Sequence, residues 1–593
     1  MGRVTRALVA LLLMLLALSS VASSVARGSF SLCQALGGPS HCREVRLLTA
    51  GVASDGASLR GFPMDLYVAV ASGNGLVLTR AELSTDEYFT AFSYVAVLAA
   101  ATAVGVDFSR YSYYVYLDAP IAKVAGPSSS AAVGLGAALA LLNLTLSEPV
   151  AVVGILLPDG GFGYVGYADE KLLSLVDRVR LVLVPYSQSL SWDTLKLYKD
   201  REVRIVEVAD LYEALQVLGG LAVGSVGGSR GYLRQLLEEW VRLVNESLGR
   251  SLEKFKDLCR DLEYSEGSAL VRPHGVVVLL HLLSVVKSAW TCGVESGALR
   301  LSDVVADVRG RLTRLYEEYQ EWSRSLPTAV GTLVVLSEVY AALVKAEELF
   351  DRAVGYSETV VEAIEELAAS YTLAEAALAA LKALRGAVDL LRLEGEVSLD
   401  RLSVLYRYAS YLYALLRSSS IPVDRVEELD SAGRLLLKAE NLSAKDPAAA
   451  LALYVSSLSR LAKLLYLDQY QGSQRALEAL RRRALRLSNL SAAPIPELYV
   501  ELGDAYASLG AGFEEVLEVY LDASIRGFAY AALFSSLTEV VHVPPTLTFT
   551  WYLLLAVSPA LGVSLALLLR RARGSSARRT LRSYLQSLPL PRS

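Results

Sequence analysis

The sequence predicts an α+β domain, then a large all-helical region built as a bundle or solenoid, then one C-terminal transmembrane helix. Three observations carry this expectation. Through residues 45–222, short β-branched runs alternate with apolar helical stripes. From Tyr232 to about Ser536, Leu, Ala, Glu and Arg dominate at helical spacing, with short breaks. No Asp, Glu, Lys or Arg lies between Glu539 and Arg570. Of the 593 residues, 53% are hydrophobic and 20% charged, which excludes a mainly disordered chain. A net charge of −5 gives no general nucleic-acid footprint, and nucleic acid is not an expected partner.

The elements follow in order. Residues 1–26 read as a secretory signal. Arg3 and Arg6 precede the apolar run Ala7 to Leu18, and small residues then allow cleavage after Ala22 or Ala26. The alternative is an uncleaved N-terminal anchor. A segment 27–44 carries Cys33 and Cys42. Val45–Val52 and Asp65–Ser72 are strand-like, and Thr85–Gly105 is a helix with Phe89, Phe92, Val95 and Leu98 on one face. Ser112–Asp118 alternates as a strand, and Ser130–Leu142 is an Ala/Leu-rich helix. Val150–Leu157, Leu181–Val184 and Arg204–Val208 are short β runs, and the Gly-rich stretch Asp159–Gly166 is a hairpin or loop.

Composition shifts at Gly219-Gly220 and Gly227-Gly228, so the α/β unit is placed at 45–222 and the helical region at 230–545. Within it, Glu497–Gly510 resembles one helix of a tetratricopeptide repeat, without a sustained 34-residue period. Leu547 to Leu569 is 23 residues, about 34 Å as a helix, enough for a hydrocarbon core of about 30 Å. The tail 570–593 holds seven Arg and no acid, so the positive-inside bias places it in the cytoplasm and everything before Leu547 outside. Lipid is thus an expected partner through one C-terminal helix. An even cysteine count in that compartment predicts two local disulfides, Cys33–Cys42 and Cys259–Cys292. Asn143, Asn245, Asn441 and Asn489 open glycosylation sequons.

The chemistry concentrates in Ala125 to Leu139 and Val152 to Leu173. Gly126-Pro127 imposes a tight backbone before a helix, and Ser128 stands near that helix's N-terminus. Unpaired N–H groups and the positive dipole end there favour a developing oxyanion. The backbone at Gly126 and Ser129 is the expected support for it. A serine needs a base, and residues 45–222 contain no His. A lysine with a burial-lowered pKa is the remaining common option. The competing readings are that Ser128 caps the helix and that Lys171 is an ordinary solvated lysine beside Asp169 and Glu170.

These two segments resemble the proteolytic domain of Lon proteases, which use a Ser–Lys dyad. The family's serine lies in a G-P-S-x-[GS] motif, matched by Gly126 to Ser130. Its lysine follows 43 residues later after G-G-x-x-x-K, and Ser128 to Lys171 is also 43 residues. Gly154 and Gly166 fit further family glycines. Val182 to Pro185 resembles the next strand, and Arg204 to Leu218 the closing strand and helix. The family's upstream histidines and acid are replaced by Tyr114, Tyr116 and Ala125, and its threonine by Val153. No G-x-x-x-x-G-K-[ST] occurs, so the resemblance is to an archaeal membrane-anchored group lacking the ATPase.

The resemblance implies an ATP-independent serine endopeptidase with Ser128 as nucleophile and Lys171 as base. It would act on exported or membrane-proximal polypeptides, with no cofactor and no metal, and could form homo-oligomers. The alternative class is a non-catalytic, surface-anchored helical scaffold, a pseudoprotease that binds envelope proteins.

Overall fold

A computed structural model describes residues 31–534, apart from 37, 39–40, 55–57, 82–85, 120–125, 187, 220–229, 256–276, 326–329, 392–398, 419–421, 471–472, 492, 494 and 509. The expected signal 1–26, Ala125, Cys259, the span Leu547–Leu569 and the tail 570–593 lie outside the described residues.

Alternation along the strands builds a sheet covered on both faces. After a short helix α1 (Leu32–Ala35) come β1 (Arg43–Ser54), β2 (Leu59–Ser72) and β3 (Val77–Ala81). Helix α2 (Glu87–Ala103), β4 (Tyr111–Asp118), α3 (Ser130–Leu141) and β5 (Val150–Val152) follow. A small hairpin, β6 (Ile155–Leu156) and β7 (Phe162–Gly163), leads to α4 (Ala168–Leu173), β8 (Leu181–Pro185), α5 (Trp192–Asp200), β9 (Arg204–Val208) and α6 (Leu211–Gly219). Seven strands run in the order β3-β4-β2-β1-β5-β8-β9. β1/β2 and β2/β4 are antiparallel; β3/β4, β1/β5, β5/β8 and β8/β9 are parallel.

Leu47, Leu66, Val68, Val115, Val152 and Leu183 point to the face covered by α2, α3 and α6. Leu48, Ala50, Ala151, Val153, Val182 and Val184 point to the other, covered by α4 and α5. This period-two split is the expected sheet pattern. Every residue of α3 is buried, as its Ala/Leu/Gly composition allows. Beside α1, Cys33 and Cys42 form a disulfide with a Cα–Cα separation of 5.9 Å.

Helices then continue as α7 (Arg230–Phe255), α8 (Val277–Glu295), α9 (Leu301–Ser325), α10 (Val330–Gly355), α11 (Val360–Leu391) and α12 (Leu399–Ser418). The last are α13 (Val426–Leu442), α14 (Pro447–Tyr470), α15 (Gln474–Ser491), α16 (Ile495–Ser508) and α17 (Phe513–Phe534). Cys292, on α8, is also disulfide-bonded. Asn143 follows the end of α3 with φ +55 and is exposed, as are Asn441 and Asn489, while Asn245 is half-buried on α7.

The α/β and helical parts are not separate bodies. The described residues fall in one compact unit, and one hydrophobic core runs from Val45 and Leu66 through α2 and α3 into α12 and α17. Helix α2 is the middle layer, with the sheet and α3 behind it and α12 and α17 in front.

The sequence places a single span at the C-terminus. Among the described residues, three helices are long and apolar enough to cross a membrane by length and composition: Val278–Glu295, Val360–Ala387 and Pro447–Leu467. The expected C-terminal span lies outside the described residues, and the candidates among the described residues are thus those in α8, α11 and α14. In the last two, 78% and 72% of the apolar window is buried inside the protein. A helix that is apolar on most sides is buried either in a large core or in lipid, and here other helices supply much of that cover.

Candidate active site

The corner before α3 is fixed from two sides. Gly126 has φ +90, a left-handed backbone that favours glycine. Its N–H donates to Asp86 Oδ2 at 3.1 Å, while Asp86 Oδ1 accepts from Phe89 N at 2.8 Å and caps α2. Asp86 thus ties the corner to α2. The same bond corrects one expectation: the Gly126 N–H is occupied and does not face a developing oxyanion. The backbone N–H groups of Ser128 and Ser129 make no hydrogen bond among the described residues.

The three serines divide the work. Ser130 N and Oγ both donate to Pro127 O, at 2.9 and 2.7 Å, and Ser130 Oγ accepts from Leu156 N at 2.8 Å. Ser129 is buried, holds the N-cap position, and makes no side-chain cap bond. Ser128 is half-buried, and its hydroxyl has no hydrogen-bond partner among the described residues. The capping role therefore does not account for Ser128. Its own carbonyl accepts from Gly154 N at 3.3 Å, and Gly154 O accepts from Ala131 N at 3.2 Å. These bonds fasten the start of α3 to the loop after β5.

Lys171 lies on α4 and is only 6% exposed. Its ammonium forms no hydrogen bond or ion pair among the described residues. Burial pushes its pKa down from 10.5 to about 8, against a smaller upward pull from the neighbouring Glu170. This is not an ordinary solvated lysine.

Three contacts hold α4 in place. Asp169 accepts from Ser191 N at 3.0 Å and Ser191 Oγ at 2.9 Å, Gln188 Oε1 accepts from Val165 N at 2.9 Å, and Tyr198 OH donates to Leu172 O at 2.7 Å. Tyr167, just before the helix, has φ +57, a conformation that costs a non-glycine residue about 1–3 kcal/mol.

The two residues belong to one end of the sheet. Leu48 pairs with Ala151 in the parallel β1/β5 ladder, and Gly154, which holds Ser128, follows the end of β5 at Val152 by two residues. Val52 pairs with Gly61, and a Cβ on Gly61 would sit 1.8 Å from Glu170 O and 3.0 Å from Lys171 N. Both segments thus reach the carboxyl end of β1 and β5, Ser128 from the α3 face and Lys171 from the α4 face. Open α/β sheets bind ligands at that end.

Gly61 and Asp86 escape a reading of the sequence alone. Asp86 is recognisable as a cap before an apolar run, but its bond to Gly126 spans 40 residues. Gly61→Ala should lower the unfolding free energy by about 1–3 kcal/mol, the cost of overpacking, with urea denaturation as the measure. An unchanged midpoint would mean that α4 is not seated on β2.

No protein-family model matches the chain, and no curated protein matches it either.

Proposed function

We propose that this chain is a membrane-anchored, ATP-independent serine endopeptidase with Ser128 as nucleophile and Lys171 as general base. One observation carries the reading most: a buried lysine without a partner, its pKa lowered to about 8, at the same sheet end as a serine hydroxyl without a partner at a helix N-terminus. The resemblance to Lon-type domains adds that Tyr167 is left-handed where the family motif has its second glycine.

The steps follow from the groups. Ser128 Oγ attacks the scissile carbonyl carbon while its proton passes to neutral Lys171 Nζ. The resulting oxyanion takes up the N–H groups of Ser128 and Ser129 at the positive end of α3. The Lys171 ammonium then protonates the leaving amine as the C–N bond breaks. Water, deprotonated by Lys171, releases the acyl group and restores Ser128.

The sequence carries no P-loop, so flexible or unfolded exported polypeptides are the substrates that suit it. The anchor is Leu547–Leu569, with the tail cytoplasmic and the site outside.

Intact cells bearing the protein should therefore cleave externally added labelled casein, and cells bearing Ser128→Ala should not. Cleavage only after detergent lysis would reverse the orientation and leave the chemistry standing. Equal cleavage by Ser128→Ala, or none by the folded wild type in either setting, would sink the peptidase; the second outcome would favour the non-catalytic scaffold.

A further inference from the structure

A cavity of about 390 Å³ lies among α7, α9 and α11, within the usual range for small-ligand sites. Five cations line it: Arg250 and Lys254 from α7, Arg311 and Arg314 from α9, and Lys382 from α11. Only two carboxylates join them, Glu246 and Glu375. The chain as a whole has a net charge of −5, so a concave surface with surplus positive charge runs against the background. Clefts lined by one sign of charge concentrate ions of the other.

Both carboxylates are engaged. Glu246 accepts from Arg242, and Glu375 accepts from Arg311 Nη1 and Ser247 Oγ. Arg311 lies over the Tyr371 ring, 4.2 Å from its centroid, so the guanidinium is already placed. Lys254 pairs with Asp307 at 3.3 Å and Arg314 with Glu318 at 2.8 Å.

Three groups are left over. Arg250 and Lys382 make no ion pair among the described residues. Ser251 is 4% exposed, lines the same cavity, and its hydroxyl has no partner among the described residues. The Ser251 residue is buried while its hydroxyl lines the cavity without a partner among the described residues, and such a group can be satisfied by a ligand oxygen.

We propose that this cavity binds a compact polyanion, a small molecule with at least two phosphate or carboxylate groups. One anionic group meets Arg250 and the Ser251 hydroxyl on α7; another meets Lys382 on α11. Arg311, held against Tyr371, faces the ligand from α9. The ligand closes three helices around one charge cluster, so binding should stabilise the helical region.

The test is calorimetric titration of the full-length protein in detergent at low salt, with inorganic pyrophosphate in one arm and citrate in the other. The expected result is saturable binding of at least one of them, about one per chain, weakened by added salt. Arg250→Ala/Lys382→Ala should lose at least about tenfold in affinity, and Ser251→Ala should lose less. Both cations are exposed, so the double variant keeps its packing. The control is Lys196→Ala/Lys199→Ala, which removes two exposed charges from α5 and should bind as wild type. Absence of saturable binding in both arms overturns the proposal. So does an equal loss in the control variant, which would reveal non-specific charge attraction. Tighter binding of hexaglutamate than of either small anion would also overturn it, in favour of an acidic peptide.

Discussion

Asp159→Ala should destabilise the protein by about 3–5 kcal/mol, the cost of leaving one member of a buried ion pair alone. The Asp159 side chain is fully buried and Arg483 is 3% exposed. Asp159 Oδ2 accepts from Arg483 Nε at 2.7 Å and from Ser524 Oγ at 2.5 Å, and Oδ1 accepts from Gly161 N at 3.2 Å and from Tyr466 OH. Arg483 also donates to Tyr466 OH and Ala209 O. Removing the carboxylate takes the counter-charge from a buried guanidinium and an acceptor from a phenol and a serine hydroxyl at once, while the Arg483 bonds to Tyr466 OH and Ala209 O remain.

The pair need not be net stabilising. Its desolvation offsets much of its attraction, so Asp159→Leu/Arg483→Met should recover most of the loss. Urea unfolding of both singles and the double gives the coupling energy. A loss below about 1 kcal/mol in Asp159→Ala would mean that water reaches the site and that the network does not hold the hairpin.

The network has a structural consequence for the candidate site. Asp159 belongs to the hairpin that contains β6 and β7, and its partners come from α14, α15 and α17. Tyr408 of α12 adds a bond to Pro158 O. The same hairpin holds Ser130 through Leu156 N. The helical region is therefore joined by buried polar bonds to the segment that positions α3. It is part of the framework of the site as well as its neighbour.

This marks what was legible in the sequence. Helix α3 and strands β8 and β9 follow from local composition and period, and the structure places them within a residue or two of expectation. β3 escaped because Val77–Ala81 is a short edge strand with exposed side chains. α5 escaped because its nine residues are amphipathic and only two are buried.

The glycine-rich hairpin was recognisable as a turn, but its role was not. Tyr466 and Ser524 lie 307 and 365 residues beyond Asp159, and no local pattern encodes such a pairing. The dyad candidates were legible as types and spacing. The burial of Lys171, the occupied Gly126 N–H and the division of labour among Ser128, Ser129 and Ser130 were not, because they depend on which segments the fold brings together. Tyr114 and Tyr116, standing where the resembled family has histidines, pack beside Tyr67 and the Cys33–Cys42 disulfide.

Lys171→Arg should abolish peptidase activity, by at least about 100-fold, because a guanidinium cannot accept the Ser128 proton. The wild-type rate should rise with pH and level off above about 8, where Lys171 loses its proton. Stability should follow the same titration. Below pH 8 the lysine is protonated in both the folded and unfolded chain, and burial penalises only the folded one. Between about 8 and 10.5 the unfolded chain binds more protons, so stability rises with pH; above 10.5 the penalty is gone. The gap corresponds to roughly 3 kcal/mol at neutral pH. Lys171→Met removes the charge at similar volume, so it should be inactive yet more stable than wild type at pH 7, with the difference shrinking towards pH 10. Such a gain on loss of function marks a residue kept for chemistry. Thermal unfolding at pH 7 and 10 measures it beside casein cleavage. Equal stability at pH 7 would place the ammonium in water, and retained turnover in Lys171→Arg would remove it from the base's role.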